Sequence, residues 1–373
     1  MTRPGVEIIL RDQPVPRSAP TDTGVWFVAG AAGDNDIEPT LIRSMSRYVD
    51  VFGVRDDGSV LYDAVDTFFR EGGARCYVVS ADVDTPAPDL PALLDKFDSA
   101  LGPGQVSIPG ATTTADHNAI LQHCADHNRV ALLDAPVSDT EAEITAAATA
   151  LHADTNASYG SLWAPVALVP GVTPGVARDV LYSAVEAGII ARNDVSLNPN
   201  VPAAGVNGQA VYALDLTAKF TDAEYETMNT AGACLAKMVN LGVRSYGYRT
   251  VVDPVAQPLW TSFGNARLRM AIVAGADNVA ERYVFSLLDG RRRTINDFGA
   301  ELSAMLVPYF ESGALYGATA QEAFRVDVGE QVNTEETIAA GELHAVIMVR
   351  MSPFAELVVI EIVKVATTEA IAA

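Results

Sequence analysis

Residues 59–80 read SVLYDAVDTFFREGGARCYVVS, and the order of elements within this stretch decides the fold class. Residues 59–72 form an amphipathic helical pattern that the glycines at 72 and 73 bring to a stop. Residues 74–80 are a short apolar run rich in β-branched and aromatic residues, which reads as a strand. The same alternation extends on both sides. GVWFVAG (24–30), QVSIPGA (105–111), RVALLDAP (129–136) and LWAPVALVPG (162–171) read as strands, and residues 88–101, 115–128, 141–153 and 175–188 as helices. Short continuous apolar strands separated by amphipathic helices predict an α/β domain with a largely parallel sheet covered on both faces.

Composition narrows the function classes. At 373 residues the chain is long enough for two domains. Apolar residues make up 49% and charged residues 19%, a globular balance. The net charge of −22 opposes a phosphate backbone, so a nucleic-acid partner is not expected. No apolar run reaches the roughly 18 residues needed to cross a bilayer, and direct membrane insertion is not expected. The first residues carry too many charges for a secretory signal. Cys76, Cys124 and Cys234 are far apart in sequence, which suits a reducing compartment. The positive charge is 21 arginines against 4 lysines, and arginine is the better residue for partly buried interface ion pairs.

The ends differ from the middle. Residues 1–22 hold a strand candidate, Val6–Leu10, followed by prolines at 14, 16 and 20 that keep the chain extended, as in an arm. Residues 197–208 are loop chemistry. Residues 221–242 open with a helix-capping Thr-Asp pair and close on Gly242. Residues 294–313 place Ile295, Phe298, Leu302, Met305, Leu306 and Phe310 on one helical stripe, with Pro308 expected to kink or shorten that helix. Three strand candidates follow at 323–329, 343–351 and 357–365. The last is apolar on both alternating faces and would be a pairing hazard at a sheet edge unless another molecule covers it.

No catalytic constellation emerges. GAAGDN (30–35) follows a strand but is not GxGxxG, and neither GxxxxGK[ST] nor GxSxG occurs, so no cofactor is expected. His123 and His127 lie four apart on one helical face beside Cys124, with His117 nearly two turns earlier. They are weak metal candidates: the glutamate of a hydrolytic zinc motif and an evident third ligand are both missing. Asp134, at a strand's C-terminal end, stands where an α/β enzyme keeps a carboxylate, and equally where a helix cap is needed.

The chain resembles the contractile tail sheath proteins of bacteriophages and related contractile injection particles. The similar segments, in order, are PGVEIIL (4–10), TDTGVWFVAGAAG (21–33), LIRSMSRYVDVFG (41–53), LYDAVDTFFREGGARCYVV (61–79) and SLNPNVPAAGV (196–206). MNTAGACLAKMVNLGVRSYGYRTV (228–251), PLWTSFG (258–264), ESGALYGATAQEAFRVDVG (311–329), NTEETIAAGEL (333–343) and SPFAELVVIEI (352–362) follow. Pro199–Asn200 stands where the family usually has proline, alanine and asparagine, and Tyr246 where a tryptophan is common. The length is short for the family, which implies that outer decorating domains are missing.

The resemblance implies an α/β, overall α+β, architecture: an N-terminal strand-donor arm (1–22), an outer three-layer α/β domain (23–250), an inner tube-facing α+β domain (251–355) and a C-terminal strand arm (356–373). It also implies a non-enzymatic subunit of a helical homo-oligomer around an inner tail tube, with baseplate and tail terminator proteins as further partners. Such a subunit is assembled in a bacterial host cytoplasm and resides in a virion tail or tail-like particle. Strand exchange between subunits would rest on Val6, Ile8, Ile9 and Leu10 at one end. At the other end it would rest on Leu357, Val359, Ile360, Ile362, Val363 and Val365. Arg291, Arg292 and Arg293, the one tight basic cluster, are candidates for contact with the tube or a neighbour. They sit before a helix N-terminus, where the dipole disfavours positive charge. The alternative readings are a cytoplasmic α/β enzyme or metal-binding domain built on His123, His127 and Asp134, and a non-contractile tube or capsid-like subunit.

Overall fold

The computed structural model describes residues 22–32, 37–56, 58–81, 90–137, 140–173 and 175–356. Its centre is an eight-stranded sheet. In chain order the strands are β1 (Trp26–Ala31), β2 (Ile37–Ile42), β3 (Cys76–Ala81), β4 (Gln105–Ser107), β5 (Val130–Asp134) and β6 (Gly160–Ala164). A second group comprises β7 (Ala167–Pro170), β8 (Ala177–Val180) and β9 (Asp215–Leu216), and β10 (Ala233–Val239) and β11 (Gly242–Ser245) return to the large sheet. Its order is β11-β10-β6-β5-β4-β1-β3-β2. The six central strands run parallel, and β2 and β11 close the edges antiparallel.

Helices cover both faces because the side chains of each strand alternate. Trp26, Val28, Val130 and Leu132 face one core. That core is filled by α1 (Met45–Phe52), α2 (Val60–Arg70) and α6 (Tyr182–Asn193). Phe27, Ala29, Ala131 and Leu133 face the other core, against α3 (Leu90–Asp95), α4 (Thr114–Asp126), α5 (Glu141–Ala150) and α7 (Asp222–Thr230). The result is an α/β arrangement, a largely parallel sheet with helices on both faces.

A smaller unit follows, made of α8 (Phe263–Ala280), α9 (Arg293–Glu311) and the antiparallel pair β12 (Phe324–Asp327) and β13 (Val346–Val349). Helix α8 joins the two. Its Phe263, Ala266 and Met270 sit in the α/β core, while Leu268 and Ile272 pack with Leu306, Leu315 and Ala323. Val251 and Val252, just past the expected boundary at 250, are buried in the α/β core.

Several expected elements are corrected. The helix over 88–101 is broken: α3 ends at Asp95, and Asp98 caps a separate turn at Ser99–Leu101. The single strand over 162–171 is two strands in different sheets. The chain passes through the cis Ala164–Pro165 bond and β7 joins β8 and β9 instead. The first residues of the helix over 175–188 form β8, so α6 begins only at Tyr182. The segment 221–242 holds α7 and then β10. Thr221 and Glu224 form the anticipated cap as a reciprocal capping box, but the helix stops at Thr230 and Gly232 turns the chain at φ 96°. Pro308 lies inside α9, in its last turn: the helix continues through it and ends three residues later at Glu311, two short of the expected 313.

Candidate functional site

The expected strand arms fall outside the described residues. This holds for Val6, Ile8, Ile9 and Leu10 and for Leu357, Val359, Ile360, Ile362, Val363 and Val365. What is described is the surface from which the C-terminal segment departs. Strands β12 and β13 pair in register from Phe324↔Val349 to Asp327↔Val346, and no third strand joins them among the described residues. Ile347 and Val349 turn inward onto α8 and α9, while Val346 and Met348 are exposed. A two-stranded sheet is marginal by itself, and an edge left unpaired is a place where another strand can add.

The chain then crosses back to the α/β domain. Met351 bridges Leu315, and Ser352 N–H donates to the Ala314 carbonyl at 2.9 Å. Asn200, buried in the loop after α6, donates through Nδ2 to the Ser352 carbonyl at 2.8 Å and lies 3.4 Å from that of Ala314. Asn198 reaches the Ser312 carbonyl at 3.1 Å. Phe354 packs against the α/β core, and Glu356 accepts from Arg249 at 2.5 and 3.3 Å.

The arginine cluster separates into different roles. Arg292, at φ 57°, donates to the Val328 carbonyl at 2.8 Å and the Asn333 carbonyl at 3.3 Å, tying the start of α9 to the loop after β12. Arg291 and Arg293 are exposed, with no ion pair among the described residues. Beside them the turn between α8 and α9 exposes Val284, Phe285 and Leu287. Phe285 is fully exposed at φ 65°, a costly conformation for a bulky residue. The sequence pattern hid this apolar tip, because residues 267–290 read as mostly helical.

The metal and enzyme candidates are occupied by internal contacts. His123 Nε2 accepts from Arg129 Nη1 at 3.0 Å, and burial, Arg129 and His127 bring its pKa down to about 3. A fixed guanidinium thus occupies the position a metal would need. His127 Nδ1 lies 3.0 Å from the His123 carbonyl. His117 Nε2 sits between the carbonyls of Ala111 and Asp134, at 3.0 and 3.1 Å. Burial pushes the Cys124 thiol well up, which keeps it protonated. Asp134 accepts from Ser183 N–H at 3.0 Å and Ser183 Oγ at 2.7 Å, so it caps α6 from a distant strand. Burial raises its pKa to about 7. Among the described residues no group of three or more His, Cys, Asp and Glu could hold a metal. No helix among them is long and apolar enough to cross a membrane.

The chain matches no protein-family model and no curated protein. Its fold is nevertheless shared with several solved structures. A chain from the baseplate of the anti-feeding prophage superposes with a TM-score of 0.75 at 20% identity, over 98% of this chain and 99% of that one. A chain from the contracted PVC sheath complex, an extracellular contractile injection system, gives 0.72 at 20% identity over 97% and 98%. A sheath tail protein from Desulfitobacterium hafniense gives 0.55 at 10% identity over 87% and 93%. At these identities the likeness establishes the fold, and this chain therefore has the fold of proteins found in contractile injection particles.

Proposed function

We propose that this chain is the sheath subunit of a contractile tail or tail-like injection particle. It would polymerise helically around an inner tube and shorten to drive that tube through a cell envelope. The observation that carries this reading is the two-stranded β12–β13 sheet, which no third strand joins among the described residues, together with the apolar strand expected from the sequence at 357–365. A subunit with a spare strand and a spare edge is completed by the next copy. Donor and acceptor surfaces differ, so the contact is head-to-tail and generates a helix. The fold likeness supports the reading over nearly the whole chain.

The role is mechanical rather than catalytic. The buried histidines and Asp134 are held by internal hydrogen bonds, and the energy for contraction would be stored at assembly. Arg291 and Arg293, with the apolar tip at Phe285, are the proposed contacts with an acidic tube or neighbour. Baseplate and tail terminator proteins are the proposed partners at the two ends of the sheath, and assembly would take place in a bacterial cytoplasm before the particle acts. Sedimentation of the purified full chain tests the proposal. A sheath gives very large particles at micromolar concentration, whereas a small fixed oligomer would contradict it.

A further inference from the structure

The turn between α8 and α9 carries an apolar tip that its own subunit does not use. Phe285 is fully exposed at φ 65°, and Val284 and Leu287 beside it are also exposed. The turn is nevertheless held in place. The Tyr283 ring lies 5.0 Å from that of Phe298, and Arg282 pairs with Glu301 at 2.8 Å. Ser286 N–H donates to the Tyr283 carbonyl at 3.0 Å, and Thr294 Oγ1 donates to the Leu287 carbonyl at 2.7 Å. Arg293 N–H donates to Asp289 at 2.8 Å, which brings the start of α9, with the exposed cations Arg291 and Arg293, against the same turn. A bulky ring kept in a costly backbone conformation and aimed at water gains nothing from its own fold.

A face of matching chemistry lies on the α/β domain. The sheet β8-β7-β9 turns Ala167, Val169, Val180 and Leu216 into the core. Strand alternation sends Leu168, Pro170, Ala177 and Asp179 the other way, with Leu168 opposite Asp179 and Pro170 opposite Ala177. Ala177, Asp179 and the adjoining Leu214 are exposed, and Leu168 and Pro170 are half-buried. Asp215 is held by Lys219, whereas Asp179 has no ion pair among the described residues.

We infer that the tip of one copy seats on this face of the next, with Phe285 and Leu287 against Leu168, Pro170 and Leu214 and the arginine pair beside Asp179. The occupant is a second copy because one chain carries both halves of the contact: apolar with cations on one, apolar with a carboxylate on the other. The halves lie on different parts of the chain, so the contact is head-to-tail and does not close on itself. A ring already fixed in place supplies contact area at little ordering cost. The inference rests on the proposed sheath function and adds to it a contact separate from strand exchange.

The test uses the full chain. Wild type first establishes that particles assemble; if it stays dispersed, the sheath reading and this contact fail together. Phe285→Gly removes the ring and suits the positive φ, so the unassembled subunit should unfold no more than about 2 °C below wild type. Its critical concentration for assembly should nevertheless rise about ten- to a hundredfold. Asp179→Arg should raise it as well, and adding Arg291→Glu and Arg293→Glu should bring it back to within about threefold of wild type. Cysteines read the contact directly, since the three native ones are buried. Oxidised particles of Ser286→Cys with Ala177→Cys should give a covalent ladder beyond the dimer, and neither single variant should. Assembly of Phe285→Gly at the wild-type critical concentration would overturn the contact and turn the tip toward the inner tube, leaving the sheath reading intact. A double-cysteine particle without a ladder would overturn it equally.

Discussion

Arg129 donates to His123 across 3.0 Å inside the layer between β4, β5 and α4. The same guanidinium donates to the carbonyls of Phe97 at 2.6 Å, Asp98 at 2.6 Å and Gly102 at 3.1 Å, and lies over the Phe27 ring. It is a buried cation whose partners are carbonyl dipoles and a neutral imidazole rather than a carboxylate. Arg129→Met should therefore destabilise the unassembled subunit by at least about 3 kcal/mol, since it leaves those carbonyls without donors in a buried place. Zinc added to wild type should leave its unfolding midpoint unchanged. A zinc-dependent rise that His123→Ala abolishes would reinstate the metal reading.

The pH dependence of stability should run opposite to that of an ordinary salt-bridged carboxylate. Glu186 is buried on α6, where it accepts from Ser245 Oγ, and burial raises its pKa to about 8. Asp134 is likewise raised to about 7. A carboxyl whose folded pKa is raised keeps its proton after the unfolded chain has lost it, near pH 4.3 for glutamate. Stability from these groups is thus present at low pH and is lost as pH rises from about 4.3 to 8. Glu186→Gln should flatten that decline and leave the chain more stable than wild type by about 1–3 kcal/mol at pH 8.5. Urea midpoints of the two chains at pH 5.5 and 8.5 check this, and equal slopes would count against it.

The crossing of α2 and α6 depends on Gly188. A Cβ there would stand 2.8 Å from the Phe68 carbonyl and 2.5 Å from the Glu71 Cβ. Glu71 cannot readily give way, because its carboxylate accepts from the N–H groups of Val211, Tyr212 and Ala213 at 2.7, 2.9 and 3.0 Å. Gly188→Ala should cost about 1–3 kcal/mol through overpacking, although alanine is the better helix former. A neutral or stabilising effect in denaturant titration would show that the helices can separate.

These contacts mark what the sequence could and could not disclose. The alternation around residues 59–80 and the two-faced strands were legible because buried parallel strands are uniformly apolar. β8 was not, because ARDV is charged: Arg178 pairs with Asp63 and Asp66 on α2 rather than packing in a core. The run after Thr230 read as helix because its apolar residues fit either period, and only the turn at Gly232 separates α7 from β10. The histidines carried only a weak metal spacing, and Arg129, the residue that holds His123, carried no local signal. Asn200 and Arg249 lie in segments singled out only by the family resemblance; their partners are 152 and 107 positions away, a separation that no local pattern reports.

The basic cluster should divide by role. Arg292→Ala removes two hydrogen bonds to the loop after β12 and should lower stability by about 1–2 kcal/mol. Arg291→Glu with Arg293→Glu touches only exposed side chains, so stability should change by less than about 0.5 kcal/mol. The double variant should nevertheless weaken association with the tube or with neighbouring subunits. Unfolding curves measured beside sedimentation of the assembled particle distinguish the two, and a double variant that sediments as wild type would exclude this surface from assembly.

The central claim is that the C-terminal strand of one subunit completes another. Electron microscopy of the full chain beside a version ending after Ala355 tests it most directly. The full chain should form hollow helical tubes and the shortened one dispersed monomers of unchanged fold. Compact small particles from both, or tubes from both, would contradict strand donation as the basis of assembly.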